Sequence, residues 1–135
     1  PMEAGIASAL LQRYQATRLT NLAALQNAAA AIRALAPRRV ALWGAGRLFD
    51  LLVREGGFDP STLALLIDAH LQKHMDERHG VMLSAPEALA DVDAVIVMSR
   101  MFAGEISREV KMRVPGAEII LYTDLLEGAK ARKAA

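Results

Sequence analysis

Arg39-Val-Ala-Leu-Trp-Gly-Ala-Gly-Arg-Leu-Phe-Asp-Leu-Leu52 joins an apolar run, a glycine turn and a helical pattern within fourteen residues. A basic pair, Arg38 and Arg39, leads into the short apolar run Val40 to Trp43, which reads as a buried strand. Gly44 and Gly46 follow at once, then a pattern that reads as a helix from Leu48 to Arg54. Glycine at the first position permits a tight turn, and at the second it lets backbone approach a ligand closely. The first helical N–H groups then face whatever sits above the turn and favour negative charge. A second apolar run, Leu63 to Ile67, ends in Asp68. An acid about twenty residues beyond such a turn is where a nucleotide-binding α/β domain meets a ribose hydroxyl.

The rest of the chain fits that beginning. Its 135 residues make one domain of ordinary size, and with 53% hydrophobic residues a real core is expected. The aromatics are one Trp, two Tyr and three Phe, so that core is aliphatic. A net charge of +1 gives no electrostatic case for nucleic-acid binding. The absence of cysteine removes disulfides, thiolate nucleophiles and Cys-based zinc sites. No apolar run approaches the roughly 20 residues of a membrane helix. Neither is a signal peptide visible, so a cytoplasmic location and no membrane partner are expected. Pro1 ahead of Met2 reads as a remnant before a native start.

Residues 3 to 36 hold one glycine, Gly5, and are rich in Ala, Leu, Gln and Arg. One long helix is expected, closed by Ala36-Pro37. Some thirty helical residues span roughly 45 Å, more than a small domain can cover. The helix must overhang, bend or pack on another chain. Leu11, Tyr14, Leu22, Leu25, Ile32 and Leu35 form an apolar strip, and residues 1–37 are therefore expected to mediate homo-oligomerisation. Arg18 interrupts the strip, which favours an antiparallel or offset pairing.

From residue 38 to 135 strands alternate with helices. Further strands are expected at Val81–Leu83, Ala94–Met98 and Glu118–Tyr122. Ser84 with Glu87 reads as a capping box, Ser99 as the cap of a helix running to about Arg113, and Asp124 as the cap of a last helix reaching Lys130–Lys133. The expected architecture is a three-layer, Rossmann-like α/β fold with a parallel sheet of about five strands.

The candidate binding residues are Gly44, Ala45, Gly46, Arg47, Asp68 and Ser99, all expected at the carboxyl edge of the sheet. Each has a plainer explanation: a tight turn, a solvent-facing arginine, or caps at Asp68 and Ser99. Phe49 stands where the full dinucleotide fingerprint has its third glycine, which argues against a bound pyrophosphate. His70, His74 and His79 lie close in sequence, but the segment reads as a solvated loop, and no metal site is expected. The methionines read as core filler. No Tyr-x-x-x-Lys pair, Gly-x-Ser-x-Gly elbow or Walker lysine is present, so no catalytic residue is assigned.

The run from Val40 to Leu126 resembles small Rossmann-like domains attached to sugar-modifying enzymes, in particular the carboxyl-terminal domain of sugar-nucleotide C-methyltransferases. The residues that carry the resemblance are Trp43-Gly-Ala-Gly46, Leu66-Ile-Asp68, Gly80 with Ser84-Ala-Pro-Glu87, Asp93 to Ser99, and Glu105-Ile106. The same motifs occur in nucleotide-sugar acyltransferase amino-terminal domains and in CoA-binding domains. The methyl-donor domain and zinc-binding cysteines of the C-methyltransferases are missing. The resemblance implies a binding or regulatory module for a nucleotide or nucleotide sugar, with the cofactor unidentified. Two alternatives stand beside it: a small NAD(P)- or nucleotide-sugar-dependent subunit working with a partner enzyme, and a ligand-free structural protein.

Overall fold

The computed structural model describes residues 2–126. Its centre is the strand β1 (Val40–Trp43), buried on both faces as an aliphatic run between two sheet neighbours must be. β2 (Leu65–Ile67) lies parallel on one side and β5 (Ala94–Val97) parallel on the other. β4 (Val81–Ser84) extends the sheet beyond β2, and β6 (Glu118–Leu121) beyond β5, both in parallel. A short β3 (Glu77–Arg78) pairs antiparallel at the outer edge, giving the order β3-β4-β2-β1-β5-β6. Without that hairpin strand the five parallel strands run in the order third, second, first, fourth, fifth. The chain thus winds outward from β1 in one direction, returns, and winds out in the other. The crevice at the reversal, over the carboxyl ends of β1 and β5, is where open sheets of this kind bind ligands.

Two aliphatic cores flank the sheet. On one face Leu42, Leu66 and Ile96 pack with Phe49 and Leu52 of helix α2 (Arg47–Arg54) and with Leu25, Ala28, Ala29 and Ile32 of the long helix α1 (Met2–Arg33). On the other, Ala41, Ile67 and Val95 pack with Val110 of helix α4 (Ala103–Arg113) and with Leu89 and Val92. This is the expected three-layer α/β architecture.

Several details depart from the sequence reading. The stretch after Asp68, expected as a polar connection, holds a one-turn helix α3 (Ala69–Gln72) and the β3–β4 hairpin. Ser84 does not cap a helix: it ends β4, and only the tight turn Pro86–Ala88 follows. The backbone is already extended at Leu89, with φ of −69° and ψ of 110°, so no helix grows from this turn. Residues 122–126 are helical from Tyr122, so Asp124 lies inside that segment, and the expected reach to Lys130–Lys133 falls outside the described residues. Met98 is core, as expected, but Met101 and Met112 are among the most exposed side chains.

The long helix ends at Arg33 and divides sharply in burial. Residues 5–21 are exposed throughout, whereas Leu25 and Ile32, expected on the exposed strip, are buried in the body. Leu22 and Leu35 are half-buried. The seam between α1 and α2 closes on Gly56. A Cβ there would stand 2.5 Å from the carbonyl oxygen of Leu52 and 2.9 Å from that of Leu25. Only a residue without a side chain lets the two backbones meet. Gly56→Ala is expected to destabilise the protein by about 1–3 kcal/mol, the usual cost of overpacking a closed site. Urea unfolding of the variant measures it. A wild-type midpoint would show that this seam can relax freely.

Candidate functional site

The carboxyl edge over β1 is built by the glycine turn and Asp68. Gly44 continues the β1–β2 ladder by donating its N–H to the Ile67 carbonyl at 2.8 Å. Its φ is +118°, a conformation L side chains rarely adopt, and an added Cβ would lie 3.0 Å from Cβ of Met98. Both demands come from the fold itself. Ala45 is fully buried and donates its N–H to Oδ2 of Asp68 at 2.9 Å. The other carboxylate oxygen, Oδ1, accepts the Leu71 N–H at 2.9 Å and so caps α3. Asp68 also donates its own N–H to the Ser84 carbonyl at 3.1 Å. One half-buried carboxylate thus fastens the glycine turn, the end of β2 and the start of α3 together.

Gly46 differs from Gly44. It occupies the cap position of α2 at negative φ, and a Cβ there would meet nothing within 4 Å. No side chain caps this helix start. Among the described residues the N–H groups of Gly46, Arg47, Leu48 and Phe49 have no protein acceptor. Arg47 is exposed and makes no ion pair among the described residues. The turn therefore offers free amides, an exposed guanidinium and an unobstructed approach. Phe49, at the third glycine position of the fingerprint, is fully buried between α2 and the sheet.

The second half of the edge lies over β5 and β6. Ser99 follows Met98, whose N–H is held by the Trp43 carbonyl at 3.0 Å. Its Oγ accepts the Phe102 N–H at 3.1 Å and braces the turn ahead of α4; contrary to the capping expectation, the helix cap itself is Phe102 and has no side-chain bond. A cavity of about 230 Å³ opens there, lined by Ser99, Arg100, Ala103, Tyr122 and Thr123 among others. Burial raises the Tyr122 phenol above its ordinary value of 10, keeping it a neutral O–H. Gly44, Ala45, Gly46, Arg47 and Asp68 come together at the turn. Ser99 belongs to the adjoining cavity, which the turn residues do not line. Along the edge the free amides of α2, Arg47, Arg100 and the hydroxyls of Ser99 and Thr123 stand beside apolar Val97, Met98 and Leu121.

The histidines separate. His70 and His74 stand edge to face on the surface, with ring centres 5.5 Å apart. His79 turns to α2, where Nε2 lies 2.8 Å from Oδ1 of Asp50 and the ring meets Phe49 edge-on. Among the described residues no cluster of three or more metal-ligating side chains occurs. The group around Asp50 was not legible in the sequence: Arg54 and Arg78 approach the same carboxylate at 3.3 and 3.8 Å. Arg54 is four residues on, a spacing sequence can show, but Arg78 and His79 arrive with the hairpin.

The His79 contact, aided by Arg54 and Arg78, holds the Asp50 carboxyl below its ordinary value of 3.8. A carboxylate whose folded value is depressed stabilises the fold above the ordinary value, and that contribution fades as pH falls below it. Asp50→Asn is expected to flatten stability against pH below about 4, with the hairpin loosening first. Hydrogen exchange at residues 77–82 in wild type and variant follows the change. Identical acid profiles would remove Asp50 as the tie.

Strand order, the glycine turn and the acid at the tip of β2 together define a Rossmann-like α/β domain. Comparison with protein-family models, with curated proteins and with solved structures gives no match to this chain. No helix among the described residues is long and apolar enough to cross a membrane.

Proposed function

We propose that this chain is a binding module for a small anionic ligand of nucleotide type, held at the carboxyl edge of the sheet, and that its copies associate through the amino-terminal helix. The observation that carries the ligand reading is the contrast between the two glycines. Gly44 is demanded by backbone conformation and by Met98, whereas nothing in the protein crowds Gly46. The clear approach at Gly46 leads straight to the unpartnered amides of α2 and to Arg47, which are suited to a phosphate. The adjoining cavity with Ser99, Arg100 and Thr123 has room and hydroxyls for a sugar or base. The sequence resemblance places nucleotide sugars first among candidates, with NAD(P) in a complex with a partner enzyme as the alternative.

A second reading, a ligand-free structural protein, is favoured by one observation. Both oxygens of Asp68 already accept backbone N–H groups, so its presence is explained without a ribose.

Isothermal calorimetry with a UDP-sugar, AMP, NAD and coenzyme A separates the two. The binding reading expects one of these to bind wild type and Gly46→Val to weaken it at least about tenfold, roughly 1.4 kcal/mol. Gly46→Val without ligand should still unfold cooperatively, losing only the preference of a helix cap for glycine over valine, while Gly44→Ala should lower the unfolding midpoint further. If none of the four binds, or if Gly46→Val binds as wild type does, the turn is structural.

A further inference from the structure

On one side of the long helix two apolar groups stand apart, separated by Arg18 and Asn21, and the body covers only the carboxyl-terminal group. Leu25, Ala28, Ala29 and Ile32 are the covered positions. Eighteen residues make five turns at about 3.6 residues per turn, so a position eighteen residues earlier stands on the same side of a helix. Ala7, Leu10, Leu11 and Tyr14 occupy those positions. Leu10, Leu11 and Tyr14 are 59%, 56% and 63% exposed. The face that packs against the body at one end is bare at the other. In proteins most helical stability comes from packing an apolar face rather than from intrinsic propensity.

Resting on the reading that copies associate through this helix, we infer that the bare patch at Ala7, Leu10, Leu11 and Tyr14 is covered by the same patch of a second copy running antiparallel. The body itself dictates the direction. It sits on this face from about residue 22 onward. A parallel partner laid on the patch would run on into that body, and its own body, mounted on the same face at the same end, would collide with the first. An antiparallel partner has its carboxyl-terminal half at the far end, where nothing blocks it.

The patch is also complementary to itself only in this direction. Antiparallel, Tyr14 covers the partner's Ala7, a large side chain over a small one, and Leu10 with Leu11 meets the same pair of the partner at the centre. In this register the partner's helix, which begins at Met2, ends near residue 19, just short of the body. Charge agrees. Arg13 and Arg18 are the only charged residues between 5 and 21. Antiparallel pairing separates the two copies of Arg18 by about 22 Å along the axis, well beyond the screening length of about 8 Å. Parallel pairing would set them side by side.

The chain has no cysteine, which makes directional cross-linking clean. Sedimentation of the full chain at about 100 micromolar should give a dimer. Leu10→Glu with Leu11→Glu should shift it to monomer, while Leu19→Glu, exposed on the opposite side of the helix, should leave it dimeric. A mixture of Ala7→Cys and Tyr14→Cys chains, unfolded and refolded together, should oxidise mainly to mixed cross-linked dimers. Ala7→Cys linking chiefly to itself, no cross-link in a dimer, or equal loss with Leu19→Glu would overturn the antiparallel patch while leaving self-association standing. A monomeric wild-type chain would overturn both.

Discussion

The Asp68 carboxylate is the joint on which the carboxyl edge depends. One oxygen takes the Ala45 N–H from the glycine turn and the other takes the Leu71 N–H at the start of α3. Hydrogen bonds to a charged acceptor contribute about 1.5–3 kcal/mol each. The buried Ala45 amide would be costly without its acceptor. By fixing Ala45, Asp68 sets the direction in which the chain leaves β1. That direction points α2 so that its free amides face the crevice and Phe49 and Leu52 face the sheet. The same acid that a nucleotide-binding reading assigns to a ligand is therefore needed to build the turn. A ribose at this edge would have to share Asp68 with two backbone donors through its remaining lone pairs.

The second constraint is the disproportion between α1 and the body. A helix of 32 residues is about 48 Å long. The body offers support to little more than its last three turns, where Leu25 and Ile32 each contribute the roughly 1.5–3 kcal/mol of a fully buried aliphatic side chain. Gly56 permits the close contact that anchors this end. The anchored end is thus a true layer of the domain, covering the sheet beside α2. The remainder projects as a platform with its apolar side facing the same way. The hairpin, held to α2 through Asp50, His79 and Arg78, closes the opposite edge of the sheet. β3 is only two residues long and ends the sheet with little exposed strand edge, a common protection against unwanted pairing.

The strand–turn–helix unit at residues 39–54, a second strand running up to Asp68, the strand at residues 94–97 and the existence of a long amino-terminal helix were legible locally, although that helix stops at Arg33 and not at Ala36-Pro37. An unbroken aliphatic run wants burial on both faces, glycine permits the turn, and thirty residues without an internal breaker stay helical. Asp68 was legible as a cap because a short polar side chain at the end of a strand reaches the N–H three residues on; Ser99 makes the same kind of bond but closes a turn before the helix begins. The tertiary structure alone decided which of the possible roles each residue fills. Leu25 and Leu11 share one helical face and one residue type, yet one is core and the other bare, since the body reaches only so far. Gly44, Gly46 and Gly56 look alike in sequence, and it is the folded chain, through the φ of +118° at Gly44 and the positions of Met98, Leu25 and Leu52, that makes the first and third obligatory and leaves open space at the second. The Asp50–His79 contact joins residues 29 apart, and no periodicity encodes it. Local chemistry fixes conformation, whereas burial and pairing depend on what the rest of the chain brings alongside.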